Sequence, residues 1–289
     1  MNLNLIFYKM KVIKYLTYIL ALSLLFSCDK HEILYNTEDV DANTAEFQLH
    51  YFEPVNNVAA NYIDSVYVND VLYSSVNGSG QLLPYNGVPG GATGRFFAVK
   101  AGEVNFKFYR KDKVVYNETV TLSTGKQNVF VHSLSKAPVV IDNGFPYNDL
   151  THATGTPATW NTDSIATVRF YNFLYEDATT PYQGKIQYQY EDARTKEWTN
   201  LGNPVGFGEA TDRITIKVVK SVFNSSGYCR VNYRMLDESG EVLKVMNSSG
   251  RMVNYSDYWN AYIGRAYMHI YGGIRTAKPV SSVKQWTSL

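Results

Sequence analysis

The first half of the chain alternates apolar and polar positions with a period of two, the pattern of a strand with one buried face. Residues 46–51 set Phe, Leu and Tyr against Glu, Gln and His, and residues 104–109 repeat the pattern with Val and Phe. No stretch of helical period is long enough to predict a helix. Short strands separated by turns at regular intervals predict an all-β, antiparallel sandwich.

Residues 142–163 break this pattern, because Asn, Gly, Pro, Thr and Asp dominate there and no period survives. Alternation returns after residue 164 and predicts a second β-sandwich, with residues 255–262 as a loop that leads into a last strand over about 262–271. The predicted organisation is a signal peptide over 1–27, a flexible tether over 28–44, a first sandwich over 45–141, a linker over 142–163 and a second sandwich over 164–289.

The N-terminus carries the most specific motif of the chain. Lys11 and Lys14 precede an apolar run of 12 residues, 15–26, which is too short for the roughly 20 residues of a membrane span. The run ends in the sequence LFSC, which predicts a lipoprotein signal cut before Cys28 and acylation of the Cys28 thiol. Two acyl chains are sufficient for stable anchoring. A plain secretory signal is the alternative, and translation could begin at Met1 or Met10.

Composition and charge argue against nucleic-acid binding and against a disulfide-rich fold. The 289-residue chain has a formal charge of +1, and loss of residues 1–27 removes three lysines and no acid, which leaves −2. There is no long basic run, so we predict that nucleic acid is not a partner. Lipidation of Cys28 leaves Cys229 as the remaining cysteine, which excludes a disulfide framework and predicts a small buried side chain in a strand.

Residues 64–72, DSVYVNDVL, resemble the VDVYVNGVL strand of the DUF4397 family of exported β-domains. Residues 84–94 resemble its Y-G-x-V-S-G-Y segment, and residues 99–104 are similar to its L-P-A-G-x-Y turn, with Lys100 where the family usually has Pro. LSTGK at 122–126 matches its later L-x-A-G-K.

This resemblance covers about residues 45–141 and implies an Ig-like sandwich without catalytic residues. The fold expected for the whole chain is therefore two tandem Ig-like antiparallel β-sandwich domains after a lipoprotein signal peptide. The family of the second domain stays open, because its similarity is loose. The lipidation motif and the abundant tyrosine look like those of a Bacteroidota lipoprotein.

Sequence motifs for catalysis and metal binding are absent. The five histidines have no metal-ligand spacing, and there is no Cys pair or Gly-x-Ser-x-Gly motif. The Asp-x-Asp-x-Asn run at 39–43 has Thr44 and His50 where a calcium loop needs Gly and Glu. His50 and His132 alternate with apolar neighbours, which predicts positions on sheet faces. We therefore predict no enzyme activity, no metal and no cofactor.

Tyrosine is unusually frequent, with 24 Tyr and 4 Trp, and the densest cluster lies at 255–262. Aromatic rings flanked by Asp and Asn suit sugars or protein interfaces, although β-sandwiches also use Tyr for packing. The possible ligand contacts are Trp198, Tyr255, Tyr258 and Trp259.

Two further residues, Ser65 and Ser164, lie in Asp-Ser-apolar triplets that resemble O-glycosylation acceptors of exported Bacteroidota proteins. Absence of sugar from both serines in the intact mass of the protein from its native cells would refute this hypothesis.

Three hypotheses about function follow. The favoured one is a non-catalytic binding or assembly module, lipid-anchored in the outer membrane on its periplasmic face or at the cell surface. The second is a glycan-binding accessory of a polysaccharide-uptake system. The third is an adhesin or pilus-like subunit built by strand exchange, which predicts a removable edge strand near residues 47–51. The expected partners are the membrane, through the N-terminal lipid, and envelope proteins or glycans.

Overall fold

Strands make up nearly all the regular secondary structure that the computed structural model describes, which covers residues 42–75, 83–89, 95–145, 164–218, 228–262 and 264–287. The exception among these residues is one turn of 3-10 helix at Ala59–Asn61. The described part of the chain has no helix long and apolar enough to cross a membrane. The predicted all-β class is confirmed.

The described residues of the first sandwich form eight strands in two sheets. The strands are β1 (Thr44–Tyr51), β2 (Ser65–Val68), β3 (Val71–Ser75), β4 (Phe97–Lys100), β5 (Gly102–Arg110), β6 (Lys113–Leu122), β7 (Gly125–Val131) and β8 (Val139–Asp142). The first outer sheet has the order β3-β2-β5-β6, and the first inner sheet has the order β4-β1-β7-β8.

In the second sandwich the structure describes ten strands. They are β9 (Ser164–Tyr175), β10 (Gln187–Glu191), β11 (Trp198–Asn200), β12 (Ile214–Val218), β13 (Cys229–Leu236), β14 (Lys244–Met246), β15 (Met252–Asn254), β16 (Ser256–Ala261), β17 (Ala266–Ile274) and β18 (Ser282–Thr287). The second inner sheet has the order β12-β9-β17-β18, the second outer sheet has the order β11-β10-β13-β16, and β14 pairs with β15 alone.

The two sandwiches share one topology. In each, the first, fourth, seventh and eighth strands form the inner sheet, and the second, third, fifth and sixth form the outer sheet, once the β14–β15 hairpin is treated as an insertion. In each, the first strand runs parallel to the seventh, so both inner sheets contain one parallel pair where the sequence predicts antiparallel pairing.

The four sheets stack as layers within one compact unit, Asp41–Leu289. A core lies inside each sandwich, and a third core lies between the two inner sheets. This third core is formed by Phe52, Val88, Phe130, Phe145, Tyr171, Phe173, Met268, Ile270 and Trp286. The two sandwiches therefore bury equivalent faces of equivalent sheets against each other, as the two subunits of an isologous dimer do.

The contact between the inner sheets changes the expected environment of β1. The sequence predicts one buried face for this strand, but Gln48 and His50 on its second face are 0% exposed because the second sandwich covers them. The His50 ring stacks on Phe130 with 4.7 Å between ring centroids. A strand buried on both faces by sheets is typical of a central strand in a multilayered protein.

Hydrogen bonds also join the two sandwiches. The Tyr175 hydroxyl donates to the carbonyl oxygen of His132 at 3.0 Å and lies 2.8 Å from His132 Nδ1. Tyr175 belongs to β9 and is 3% exposed, and His132 directly follows β7. The hydroxyl thus satisfies two polar groups of the other sandwich in a buried place.

The Tyr175→Phe substitution is expected to lower the free energy of unfolding by about 1–3 kcal/mol, since it leaves buried polar groups of His132 without a partner. Chemical denaturation at pH 7 measures the effect. Tyr109→Phe, on the half-buried outer face of β5, is the control and should change the free energy of unfolding little. An equal effect of both substitutions would contradict a role for the hydroxyl between the sandwiches.

Candidate functional site

The described histidines lie inside the protein. Burial lowers the pKa of His50 and of His269 to about 3, and burial together with the charge of Lys136 lowers the pKa of His132 to about 4. The described residues contain no group of three or more His, Cys, Asp or Glu side chains that could hold a metal ion. The expected burial of Cys229 is confirmed, at 0% exposure.

The most distinctive surface is the outer face of the second outer sheet, which we call the β10–β16 face. The strand register places Trp198 opposite Glu191, and Asn232 opposite Tyr258. Because Tyr190 pairs with Tyr233, Glu191 and Asn232 are the next neighbours on these two strands. One row of side chains therefore crosses all four strands from Trp198 to Tyr258, a distance of roughly 14 Å at the usual strand spacing.

Both aromatic side chains at the ends of this row are exposed, Trp198 by 38% and Tyr258 by 47%. Each is covered on one ring face by an arginine of β13. The Arg234 guanidinium carbon lies 4.2 Å from the ring centroid of Trp198, and that of Arg230 lies 3.7 Å from the ring centroid of Tyr258. These are cation–π distances, so each arginine holds its ring upright on the sheet.

Side-chain hydrogen bonds order the rest of the face. Gln189 donates to Asn200 Oδ1 at 2.7 Å and accepts from Arg234 Nε at 2.9 Å. Asn232 donates to Glu191 Oε2 at 2.5 Å. The face thus combines amides, guanidinium groups and rings that are held in place before any ligand arrives. Preorganised side chains of this kind lose little rotamer freedom on binding.

The structure separates the four aromatic residues proposed as ligand contacts. Residues 255–262 are not a loop, because β16 occupies most of them and its alternation turns Trp259 inward. Trp259 is 2% exposed and Tyr255 is 7% exposed, and both belong to the core of the second sandwich. The prediction of an exposed ligand contact is therefore wrong for Tyr255. Trp259 is buried too, but it lines a cleft beside Tyr258, so a ligand contact of Trp259 stays a prediction. For Trp198 and Tyr258 it stays a prediction.

Hydrogen bonds explain the inward position of Tyr255. Its hydroxyl accepts from the backbone N–H of Val283 at 3.2 Å and lies 3.4 Å from the hydroxyl of Tyr233. Burial raises the pKa of the Tyr255 hydroxyl far above its ordinary value. This tyrosine joins the two sheets of the sandwich and is a structural residue.

An open cleft of about 470 Å³ continues from Tyr258 over the edge of the sandwich, where β16 and β18 are the last strands of their sheets. Asn260, Tyr262, Arg265 and Gln285 contribute polar and aromatic groups to its lining. Arg265 stacks on Tyr262 with 4.3 Å between the guanidinium carbon and the ring centroid. The arginine–aromatic pairing of the β10–β16 face is therefore repeated beside it.

The remaining predicted site residues fall elsewhere. Cys28 lies outside the described residues. Ser65 is half-buried in β2, between β3 and β5, and Ser164 begins β9. Lipidation of Cys28 and glycosylation of the two serines stay predictions.

The outer face of the first outer sheet provides an internal comparison. It carries two aromatic residues, Tyr67 and Tyr109, but their rings contact each other edge to face, with 5.3 Å between centroids. Its Lys107 forms an ion pair with Asp70 at 2.5 Å. The equivalent sheets thus differ in chemistry, because the second pairs its rings with arginines and the first pairs its lysine with an acid.

Comparisons with known proteins give distant similarities only. No protein family model matches the chain, and no curated protein matches it. A leucine-rich repeat protein from Bacteroides thetaiotaomicron is 13% identical with a TM-score of 0.21, over 80% of this chain and 26% of its own. The TIE protein of Bacillus anthracis is 7% identical with a TM-score of 0.23, over 79% and 33%. A streptococcal ancillary pilin is 10% identical with a TM-score of 0.16, over 76% and 59%.

This chain therefore spans about a quarter of the length of the leucine-rich repeat protein and about a third of the length of the TIE protein. At these TM-scores the similarities say nothing about what the chain binds. A proposal about function therefore rests on the side chains at the surface of this protein.

Proposed function

We propose that the protein is a non-catalytic, lipid-anchored binding module of the cell envelope and that the β10–β16 face contacts its ligand. The carrying observation is the row from Trp198 to Tyr258, in which two exposed rings are held by arginines at opposite ends of one sheet. Exposed aromatic and arginine side chains are the types that most often dominate binding energy at protein surfaces.

The architecture supports this role in a second way. The inner sheets are buried against each other, so each sandwich has one outer sheet that faces outward. Of these two faces, the β10–β16 face has exposed rings and arginines whose hydrogen bonds to described residues are donated by Nε, whereas the first outer sheet has the Lys107–Asp70 pair. A rigid scaffold beneath a functional face keeps its side chains in place.

Strand exchange through the first strand is not supported. β1 pairs with β4 on one side and with β7 on the other, so it is an internal strand of its sheet. Its removal would break both ladders and open two cores, because its side chains contribute to the core of the first sandwich and cover the second inner sheet. The prediction of a removable edge strand at this place is wrong.

The Trp198→Ala/Tyr258→Ala double substitution is expected to reduce capture of the envelope ligand at least tenfold, because it removes both rings of the row. The measurement is cross-linking of native cells followed by purification of the protein and quantification of what is attached to it. Tyr67→Ala/Tyr109→Ala, with the same number of rings removed from the first outer sheet, is the matched control. Equal capture by both variants and the wild type would refute the proposal.

A further inference from the structure

Resting on the function proposed above, we propose that the ligand of the β10–β16 face is an acidic polysaccharide, whose sugar rings stack on Trp198 and Tyr258 and whose acid groups bind Arg230 and Arg234. The proposed ligand is an extended chain of sugars that carries carboxylate or sulfate groups. The charge, the spacing and the planarity of the side chains on this face favour such a ligand.

The two arginines are arranged as a pair of anion contacts. They lie four residues apart on β13, which separates them by roughly 13 Å along the strand. Stacking on a ring uses the flat face of a guanidinium and leaves its in-plane N–H groups for a planar anion. The hydrogen bonds that the two arginines make to described residues are donated by Nε, to Asn232 at 3.3 Å and to Gln189 at 2.9 Å. The Nη groups therefore remain for a ligand.

The face has an excess of positive charge. Glu191 is the acid that the register places among its outward side chains, and it already accepts a hydrogen bond from Asn232. Asp257 points to the opposite side of β16, where it accepts a hydrogen bond from the buried Tyr233 at 3.3 Å; it is exposed there and lines the cleft beside Tyr258, in which Arg265 is the cation. Two guanidinium groups and one engaged carboxylate make this face complementary to a chain with regularly spaced negative charges.

The other groups on the face favour sugars over an acidic peptide. The two central strands of the row, β10 and β13, are paired on both sides, so their backbone groups are used in the ladders and cannot add a peptide strand. Its outward side chains include the amides of Gln189, Asn200 and Asn232, which offer both donors and acceptors to hydroxyl groups. Rings at the two ends of the row offer flat apolar surfaces to the C–H faces of sugars.

The test is binding of the full chain in detergent to immobilised polygalacturonate, alginate and chondroitin sulfate. We expect at least one of them to bind and the Arg230→Gln/Arg234→Gln variant to bind at least tenfold more weakly. Lys100→Gln/Lys113→Gln, on exposed positions of the first sandwich, removes the same charge and should bind as the wild type does. Binding should also weaken as salt rises, because exposed charges are screened.

Two further polymers distinguish an acidic polysaccharide from other ligands. Fully methyl-esterified polygalacturonate keeps the sugar rings without the charge, and polyglutamate keeps the charge without the sugar. Equal binding of the ester, or equal or tighter binding of polyglutamate, would overturn the inference and leave the binding module standing. Failure of all three acidic polysaccharides would also overturn it. Unchanged ligand capture by Trp198→Ala/Tyr258→Ala in cells is a separate result, which would refute the proposed function itself.

Discussion

Acidification from pH 6.5 to about 4 is expected to lower the free energy of unfolding by about 1.4 kcal/mol per pH unit for each buried histidine. Three described histidines contribute, because burial lowers the pKa of His50 and His269 to about 3 and that of His132 to about 4. Together they predict a slope of roughly 4 kcal/mol per pH unit near pH 5. Such a slope is large against a typical stability of about 5–15 kcal/mol.

The sign follows from proton uptake. Below pH 6.5 the unfolded chain protonates these imidazoles, whereas the folded protein keeps them neutral until the pH approaches 3 to 4. The unfolded state therefore binds more protons throughout this interval, so stability is complete above pH 6.5 and is lost as the pH falls. Carboxylates with lowered pKa values, such as Asp177 and Asp237, add to the effect only near and below their ordinary value of 3.8.

Denaturant unfolding at pH 7, 6, 5.5 and 5 measures this slope. The His50→Gln variant removes one titrating group and should reduce the slope by about one third. Val131→Ala, a truncation in the core of the first sandwich, should lower stability equally at every pH and leave the slope unchanged. A flat profile for the wild type between pH 6.5 and 5 would show that the histidines do not stay neutral inside the protein.

The Phe130→Ala substitution is expected to lower the free energy of unfolding by about 3–5 kcal/mol. Phe130 is 0% exposed at the centre of the core between the inner sheets, and its ring lies 4.4 Å from that of Phe173 in the other sandwich. Truncation removes these contacts and leaves a cavity that two sheets cannot easily close. Since the cavity lies between the sandwiches, the change should destabilise both.

Tryptophan fluorescence separates this effect from damage to one sandwich. The three tryptophans that the structure describes, Trp198, Trp259 and Trp286, lie in the second sandwich, whereas Phe130 belongs to the first. The fourth, Trp160, lies outside the described residues, so the measurement is made in a Trp160→Phe background. If the two sandwiches unfold as one unit, two probes should report the same loss of stability in Phe130→Ala. The denaturant midpoint measured by tryptophan fluorescence should fall as far as the midpoint measured by circular dichroism. Phe106→Ala, in the core of the first sandwich, is the matched control for the same loss of volume. A tryptophan midpoint that Phe130→Ala leaves unchanged would contradict coupling through the third core.

Strand positions could be predicted from the sequence where one face of a sheet meets solvent. The alternation at residues 104–109 corresponds to β5, which belongs to the first outer sheet. The same rule was incomplete for β1, because the covering sheet comes from a segment more than a hundred residues away. Polar residues such as Gln48 and His50 gave no sign that they would be buried.

Among the strands that the sequence analysis did not predict, β16 and β18 were missed for local reasons. Residues 255–262 are rich in Asp, Asn and Ser, which favours a loop, but the alternation of outward Ser256, Tyr258 and Asn260 with inward Trp259 and Ala261 was a usable signal. β18 was not predicted at all, and its main apolar contribution is Trp286. Composition alone does not identify such strands, because an edge strand with one face in solvent contains many polar residues.

The candidate site could be predicted only in part. Trp198 and Tyr258 can both be identified as candidates, but nothing in the sequence places them on one face, because they lie sixty residues apart and are joined by the register of four strands. The arginines were missed altogether. Arg230 and Arg234 at alternate positions of an apolar strand were the available signal, since outward residues of β13 share one face.

The most direct test of the account is photo-cross-linking in native cells from single positions on the two outer sheets. A photoreactive residue at Asn200 probes the β10–β16 face, and one at Thr119 probes the outer face of the first sandwich, on β6. We predict an adduct from position 200 that is lost in Arg230→Gln/Arg234→Gln and no equivalent adduct from position 119. An adduct from position 119 alone, or equal adducts from both, would contradict the assignment of ligand binding to the second sandwich.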